Sequence, residues 1–104
     1  MHWWLLCLAI VLEVSGTVAM KASNGFEKTL PVVCMVMFYL ASFYALGKSV
    51  VKIDVGIAYA IWSGLGTALI VLIGAWWFRE PISGFKVVCV ALIILGVIGL
   101  RYES

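Results

Sequence analysis

Within the run LAIVLEVSG, residues 8–16, Glu13 is the one ionisable side chain among aliphatic and small neighbours. A carboxylate buried in such surroundings is costly unless it is paired, protonated or used. On a helical wheel Ala9, Glu13, Gly16, Thr17 and Met20 share a face, and the small ones leave space beside the carboxyl group. Two later stretches repeat the pattern with aromatic and hydroxyl side chains: Tyr39, Ser42 and Phe43, then Tyr59, Trp62, Ser63 and Gly66. Aromatic rings attract cations face-on, more strongly where water is excluded. An acid and a wall of rings therefore suit a positively charged organic guest, which competes with a proton for the same oxygen atoms. The hydroxyls of the tyrosines and Ser42 also need partners, and Glu13 is the expected acceptor.

Positioning these groups requires elements of a particular kind. The chain has 104 residues, 65% hydrophobic and 12% charged, well above the apolar share of a water-soluble domain. Hydrophobic continuity gives four membrane-spanning helices at about 3–21, 31–50, 56–78 and 84–101. Each is long enough to cross the bilayer, and they leave no room for a second domain, so the fold class is all-α integral membrane with one transmembrane domain over 1–104. Glu13 then lies ~15 Å from either end of the first helix, near the midplane and beyond snorkelling range. Trp3, Trp4, Trp76, Trp77 and Tyr102 fall near helix ends, as interfacial anchors do. Cys7, Cys34 and Cys89 have no metal-ligand spacing and are expected as small core side chains. His2 has no partner motif. Singly scattered basic residues exclude a nucleic-acid surface. Glu13 has no His, Lys or metal ligand beside it, so an enzyme is not expected and no metal or organic cofactor is implied.

Charge placement bears on assembly. With four spans, Lys21, Lys28, Arg79 and Lys86 fall on one side of the membrane, and Lys48, Lys52 and Arg101 on the other with the N-terminal amine. So even a division gives the positive-inside rule little to act on. Both orientations can insert, and two opposed copies can pair as an antiparallel homodimer; a paralogous heterodimer is less favoured by the same count. Four short helices cannot alone enclose a solvated cavity and shield it from lipid, which also favours a dimer. Two Glu13 side chains in one site would titrate as a coupled pair. Gly64 and Gly66 interrupt the third segment, where they can act as a hinge or allow close helix packing.

LEVSGT around Glu13, KASNGF in the first loop, SFY from Ser42, and GIAYAIWSGLGT in the third segment together resemble the small multidrug resistance family. The likeness runs through the whole chain. It implies an antiparallel, dual-topology homodimer in the bacterial plasma (inner) membrane that exports cationic compounds in exchange for protons, with protons as the only coupling partner. By that resemblance Glu13 binds proton and substrate in turn, Tyr59 and Trp62 form the aromatic pair of the pocket, and Tyr39 and Ser42 line it from the second helix. Thr17 and Ser63, beside these on their helices, join the candidate pocket. Trp3 stands where broader exporters often have Tyr, and is placed with the substrate residues. Gly64 and Gly66 match the kink of the third helix. Cys89 stands where a Gly often helps form the dimer contact, with Gly96 and Gly99 supplying close approach.

Guanidinium exporters of this family typically place Trp where this chain has Gly16 and Gly where it has Ile10. The chain is thus more similar to the branch exporting quaternary ammonium and other lipophilic organic cations. Each proton moving down one pH unit supplies ~1.4 kcal/mol, so two protons per monovalent cation would drive export and carry net charge. The alternatives are export of guanidinium or a small substituted guanidinium, and a non-transporting membrane interaction subunit in which Glu13 pairs with a basic residue of another protein's helix.

Overall fold

The computed structural model describes residues 2–103, with the side chains of His2 and Glu103 outside the description. Four helices follow in order: α1 (His2–Ala22), α2 (Thr29–Ser49), α3 (Val55–Trp76) and α4 (Gly84–Glu103). All four are long and apolar enough to cross a membrane. α2 begins two residues before Pro31, where the apolar run had suggested its start. Proline is tolerated there because a helix's first turn has no intrahelical acceptor for its N–H groups. α3 stops at Trp76, two residues short of the expected end, because Arg79 takes a left-handed backbone (φ 55°) and turns the chain away.

α1 occupies the middle of the bundle, packing on α2 and on α3, while α4 packs on α3. The core is the stripe Leu6, Ile10 and Val14 of α1 against Ala58 and Ile61 of α3, closed by Ile53 from the α2–α3 loop. Cys7 falls off that stripe and is exposed, so it is not the core side chain expected of it; Cys34 and Cys89 are half-buried. Among the described residues of α4, none is fully buried within the single chain. The first loop turns through Asn24, Gly25 and Phe26, all at positive φ. Ser23 stabilises this turn by accepting the Phe26 N–H on its hydroxyl, 3.0 Å, while its carbonyl accepts the Lys28 N–H at 3.0 Å.

Two contacts fix which helix ends share a side. Lys21 at the end of α1 pairs with Glu80 after α3, 3.7 Å apart. At the opposite end the Arg101 guanidinium lies 4.3 Å from the centre of the Trp3 ring. The division of basic residues inferred by counting spans therefore agrees with the arrangement of the bundle.

Candidate functional site

Glu13 sits where α1 crosses α3, and Gly66 makes the crossing close. A methyl group built on Gly66 would stand 2.9 Å from Glu13 Oε2, so the carboxyl group rests on bare α3 backbone. Oε2 is buried and has no hydrogen-bond partner. An unsatisfied buried oxygen is rare in a folded protein and requires an explanation. Among the described residues no Lys or Arg forms an ion pair with it.

One turn to either side of Glu13, α1 tethers an aromatic ring. Toward the N-terminus, the fully buried Ser42 of α2 donates its hydroxyl proton to the Ala9 carbonyl, 2.6 Å, and accepts the indole N–H of Trp62, 3.3 Å. Toward the C-terminus, the Tyr39 hydroxyl lies 2.7 Å from Thr17 Oγ1, which is 3.1 Å from the Glu13 carbonyl. If Thr17 donates to that carbonyl, Tyr39 donates to Thr17. The expectation that Tyr39 and Ser42 would use the Glu13 carboxylate as acceptor is thus corrected. The Ala9 carbonyl, one turn away, takes the Ser42 proton and the Thr17 hydroxyl takes that of Tyr39, and Glu13 Oε2 is left without a hydrogen bond.

The rings form a continuous ladder. Tyr39 stacks on Phe43 with centroids 6.4 Å apart, Phe43 meets Trp62 at 6.0 Å, and Trp62 meets Tyr59 at 5.6 Å, all within the range of favourable aromatic pairing. Phe43 and Tyr59 are more than half exposed, so the ladder has a free face. Phe43, expected only as one of the rings on α2, is the link that joins Tyr39 to Trp62 of α3. Its spacing of four from Tyr39 was the available signal, but its role depends on a ring in another helix.

The space expected beside Glu13 from small neighbours is filled at one of them. Gly16 lies under the Tyr39 ring, and a methyl group there would come within 2.6 Å of two ring carbons. Ile10 is buried in the core. Other candidate residues are placed elsewhere. Trp3 presents its ring to Arg101 at the helix ends, and Ser63 is exposed with its hydroxyl returned to the Tyr59 carbonyl at 2.8 Å. Gly64 faces α4, where a methyl group would touch Val97 and Ile93 at 3.4 and 3.5 Å, and α3 continues as helix through both Gly64 and Gly66. Gly64 thus serves close packing of α3 on α4. Cys89 lines a cavity between α3 and α4, while Gly96 and Gly99 have open space above them.

Removing the Ser42 hydroxyl tests the tether. Ser42→Ala leaves the half-buried indole N–H without its acceptor, a deficit of up to ~1 kcal/mol. Thermal unfolding in detergent is expected to show lower stability, and binding of an aromatic cation is expected to weaken. Unchanged unfolding and binding would mean that the indole needs no such support.

Comparison with known proteins places these features in context. Residues 1–93 match the model of the Small Multidrug Resistance protein family. The uncharacterized membrane protein YvaE of Bacillus subtilis (strain 168) is 47% identical over 97% of this chain and 85% of its own length. The multidrug resistance protein mmr of Mycolicibacterium paratuberculosis (strain ATCC BAA-968 / K-10) is 43% identical over 96% of this chain and 94% of its own. The quaternary ammonium compound-resistance protein QacH of Staphylococcus saprophyticus is 36% identical over 97% and 94%. With four membrane-capable helices, a family match over nearly the whole chain and these relatives, the protein is a multi-pass bacterial membrane protein of the Small Multidrug Resistance family.

Proposed function

We propose that this chain is a proton-coupled antiporter that exports lipophilic organic cations, quaternary ammonium compounds among them, as an antiparallel homodimer. The observation that carries this reading is the buried, unpartnered Oε2 of Glu13 beside a half-open aromatic ladder. A fixed ion pair would have consumed the carboxylate; an unmet oxygen near rings is suited to hold a proton or a cation in turn. The names of the relatives, multidrug resistance and quaternary ammonium compound resistance, favour the same class of cargo.

Coupling follows from competition. A proton bound from the outer side neutralises Glu13; a cation arriving from the inner side needs the charged form and displaces the proton. Because one group serves both, proton and cation cannot occupy it together, and each displaces the other. Tyr39 over Gly16 occupies the position where guanidinium exporters place Trp, giving a surface of rings with its hydroxyl already engaged. Such a surface favours guests that donate no hydrogen bonds.

The single chain leaves surface for a second copy. Phe43 and Tyr59 are exposed, none of the described residues of α4 is fully buried, and Gly96 and Gly99 permit close approach. The near-even distribution of basic residues supports opposed orientations. Purified chain in proteoliposomes tests both parts of the reading. An imposed proton gradient is expected to drive tetrapropylammonium at least about tenfold faster than guanidinium, a difference of ~1.4 kcal/mol. Preference for guanidinium would overturn the cargo class. Absence of any cation flux from the chain alone would overturn the self-sufficient transporter in favour of an interaction subunit.

A further inference from the structure

Glu13, Thr17 and Lys21 follow one another at intervals of four along α1, and Gly66, Ile70 and Gly74 do the same along α3. They form two walls of one seam from the midplane to a membrane face. At its inner end the Glu13 carboxyl group touches Gly66. Farther out the seam opens into a cavity of about 150 Å³ lined by Thr17, Lys21, Ile70, Gly74, Phe78 and Glu80. That is room for several waters, and a hydroxyl, an ammonium and a carboxylate are there to hydrogen-bond them. The aromatic ladder lies on other residues of α2 and α3, so the seam is a second approach to the same carboxyl group.

The mouth of the seam is built with some care by the chain. Arg79 adopts the left-handed conformation that non-glycine residues seldom take. The turn lets the Glu80 N–H reach back to the Gly74 carbonyl at 3.0 Å, beside the Phe78 N–H at 3.1 Å. Glu80 is thereby folded over the end of α3, and its carboxylate occupies the space a side chain at residue 74 would need. From there it meets Lys21 at 3.7 Å, while Lys21 also lies 6.0 Å from the centre of the Phe78 ring. Lys86, another cation close to Glu80 in the chain, donates to the Pro81 carbonyl at 2.6 Å. Both partners of the Lys21–Glu80 pair are about half exposed, so the pair is weak and opens readily.

We propose that the α1–α3 seam is a proton access route to Glu13, separate from the aromatic face that takes the organic cation, and that the Lys21–Glu80 pair is its gate. The proposal rests on the exporter reading for the purpose of the route. Water in the cavity delivers a proton to the Glu13 carboxylate or removes it when the pair is open, and a closed pair prevents protons from leaking while the cation is absent. Lys21 and Glu80 are positioning residues here, since neither touches the cargo.

Two readouts test it. In full-length chain with Cys7, Cys34 and Cys89 replaced by alanine, Thr17→Cys and, separately, Ile70→Cys place a thiol on each wall of the cavity. A small hydrophilic methanethiosulfonate reagent is expected to label both slowly with the pair intact. Glu80→Gln is expected to speed labelling about fivefold, as loss of a weak surface pair allows, and the exchange Lys21→Glu with Glu80→Lys is expected to restore the slow rate. In proteoliposomes without organic cation, Glu80→Gln is expected to raise proton influx, and adding Glu13→Gln is expected to remove that rise. Equal labelling across the three pairings overturns the gate. Faster labelling with no Glu13-dependent proton influx overturns the route as a path for protons. Failure of the exporter reading is distinguishable, because it would show as absent cation flux in the unmodified chain while labelling of the seam still responds to Glu80.

Discussion

Glu13→Gln is expected to abolish gradient-driven export of tetrapropylammonium while leaving the bundle folded. The substitution keeps shape and nearly keeps volume, so the contact with Gly66 survives. Among the described residues it removes the one carboxyl group near the ladder. A carboxylate ~4 Å from a cation at an effective dielectric of ~20 contributes ~4 kcal/mol, so cation affinity should fall roughly a thousandfold. Gradient dependence should disappear altogether, because glutamine holds no exchangeable charge. Reconstituted flux with and without a proton gradient, alongside size-exclusion behaviour in detergent, measures both parts. Flux that still follows the gradient would refute exchange at Glu13. Loss of a monodisperse peak would instead assign the residue a structural role.

Gly66→Ala should cost nearly as much by a different route. The new methyl would lie 2.9 Å from Oε2, closer than non-bonded contacts allow, and the α3 backbone carrying it is rigid. The carboxyl group must therefore move away from its seat. Misplacement of a reacting group by about 1 Å can lower rates by roughly a hundredfold. Fold stability should not suffer in proportion, because alanine is the better helix former by ~1 kcal/mol. Gly64→Ala provides the contrast: its methyl would make ordinary contacts with Val97 and Ile93, and transport should be largely kept. If both glycines act as a hinge, the two substitutions should impair transport alike. Initial rates of the two variants in proteoliposomes decide between seat and hinge.

The four helices were legible because a chain that must satisfy its backbone inside lipid has few alternatives to long apolar helices. Glu13 stood out for a related reason: an acid in the first span must be paired, protonated or used. What escaped is what depends on how two helices meet. Wheel positions for Ser42 and Tyr39 named their faces correctly, yet their acceptors, the Ala9 carbonyl and Thr17, depend on the register between α1 and α2. Gly16 and Gly66 looked alike as small residues, whereas one receives a ring and the other a carboxyl group. Cys7 shows a second limit. Outward positions of a membrane helix are as apolar as inward ones, so composition does not separate lipid-facing from core residues. The helix ends were off by two residues where Pro31 and Arg79 set the boundary through backbone geometry.

Ser42 fastens the Trp62 indole to a main-chain oxygen rather than to another side chain. An attachment of that kind persists through most changes at residue 9, while among the described residues the neighbouring rings of Phe43 and Tyr59 have only ring contacts and no side-chain hydrogen bond to lose. Under drug pressure, then, adaptation to new toxic compounds should accumulate at residues 43 and 59, with Trp62 retained as the invariant reference around which the repertoire is retuned.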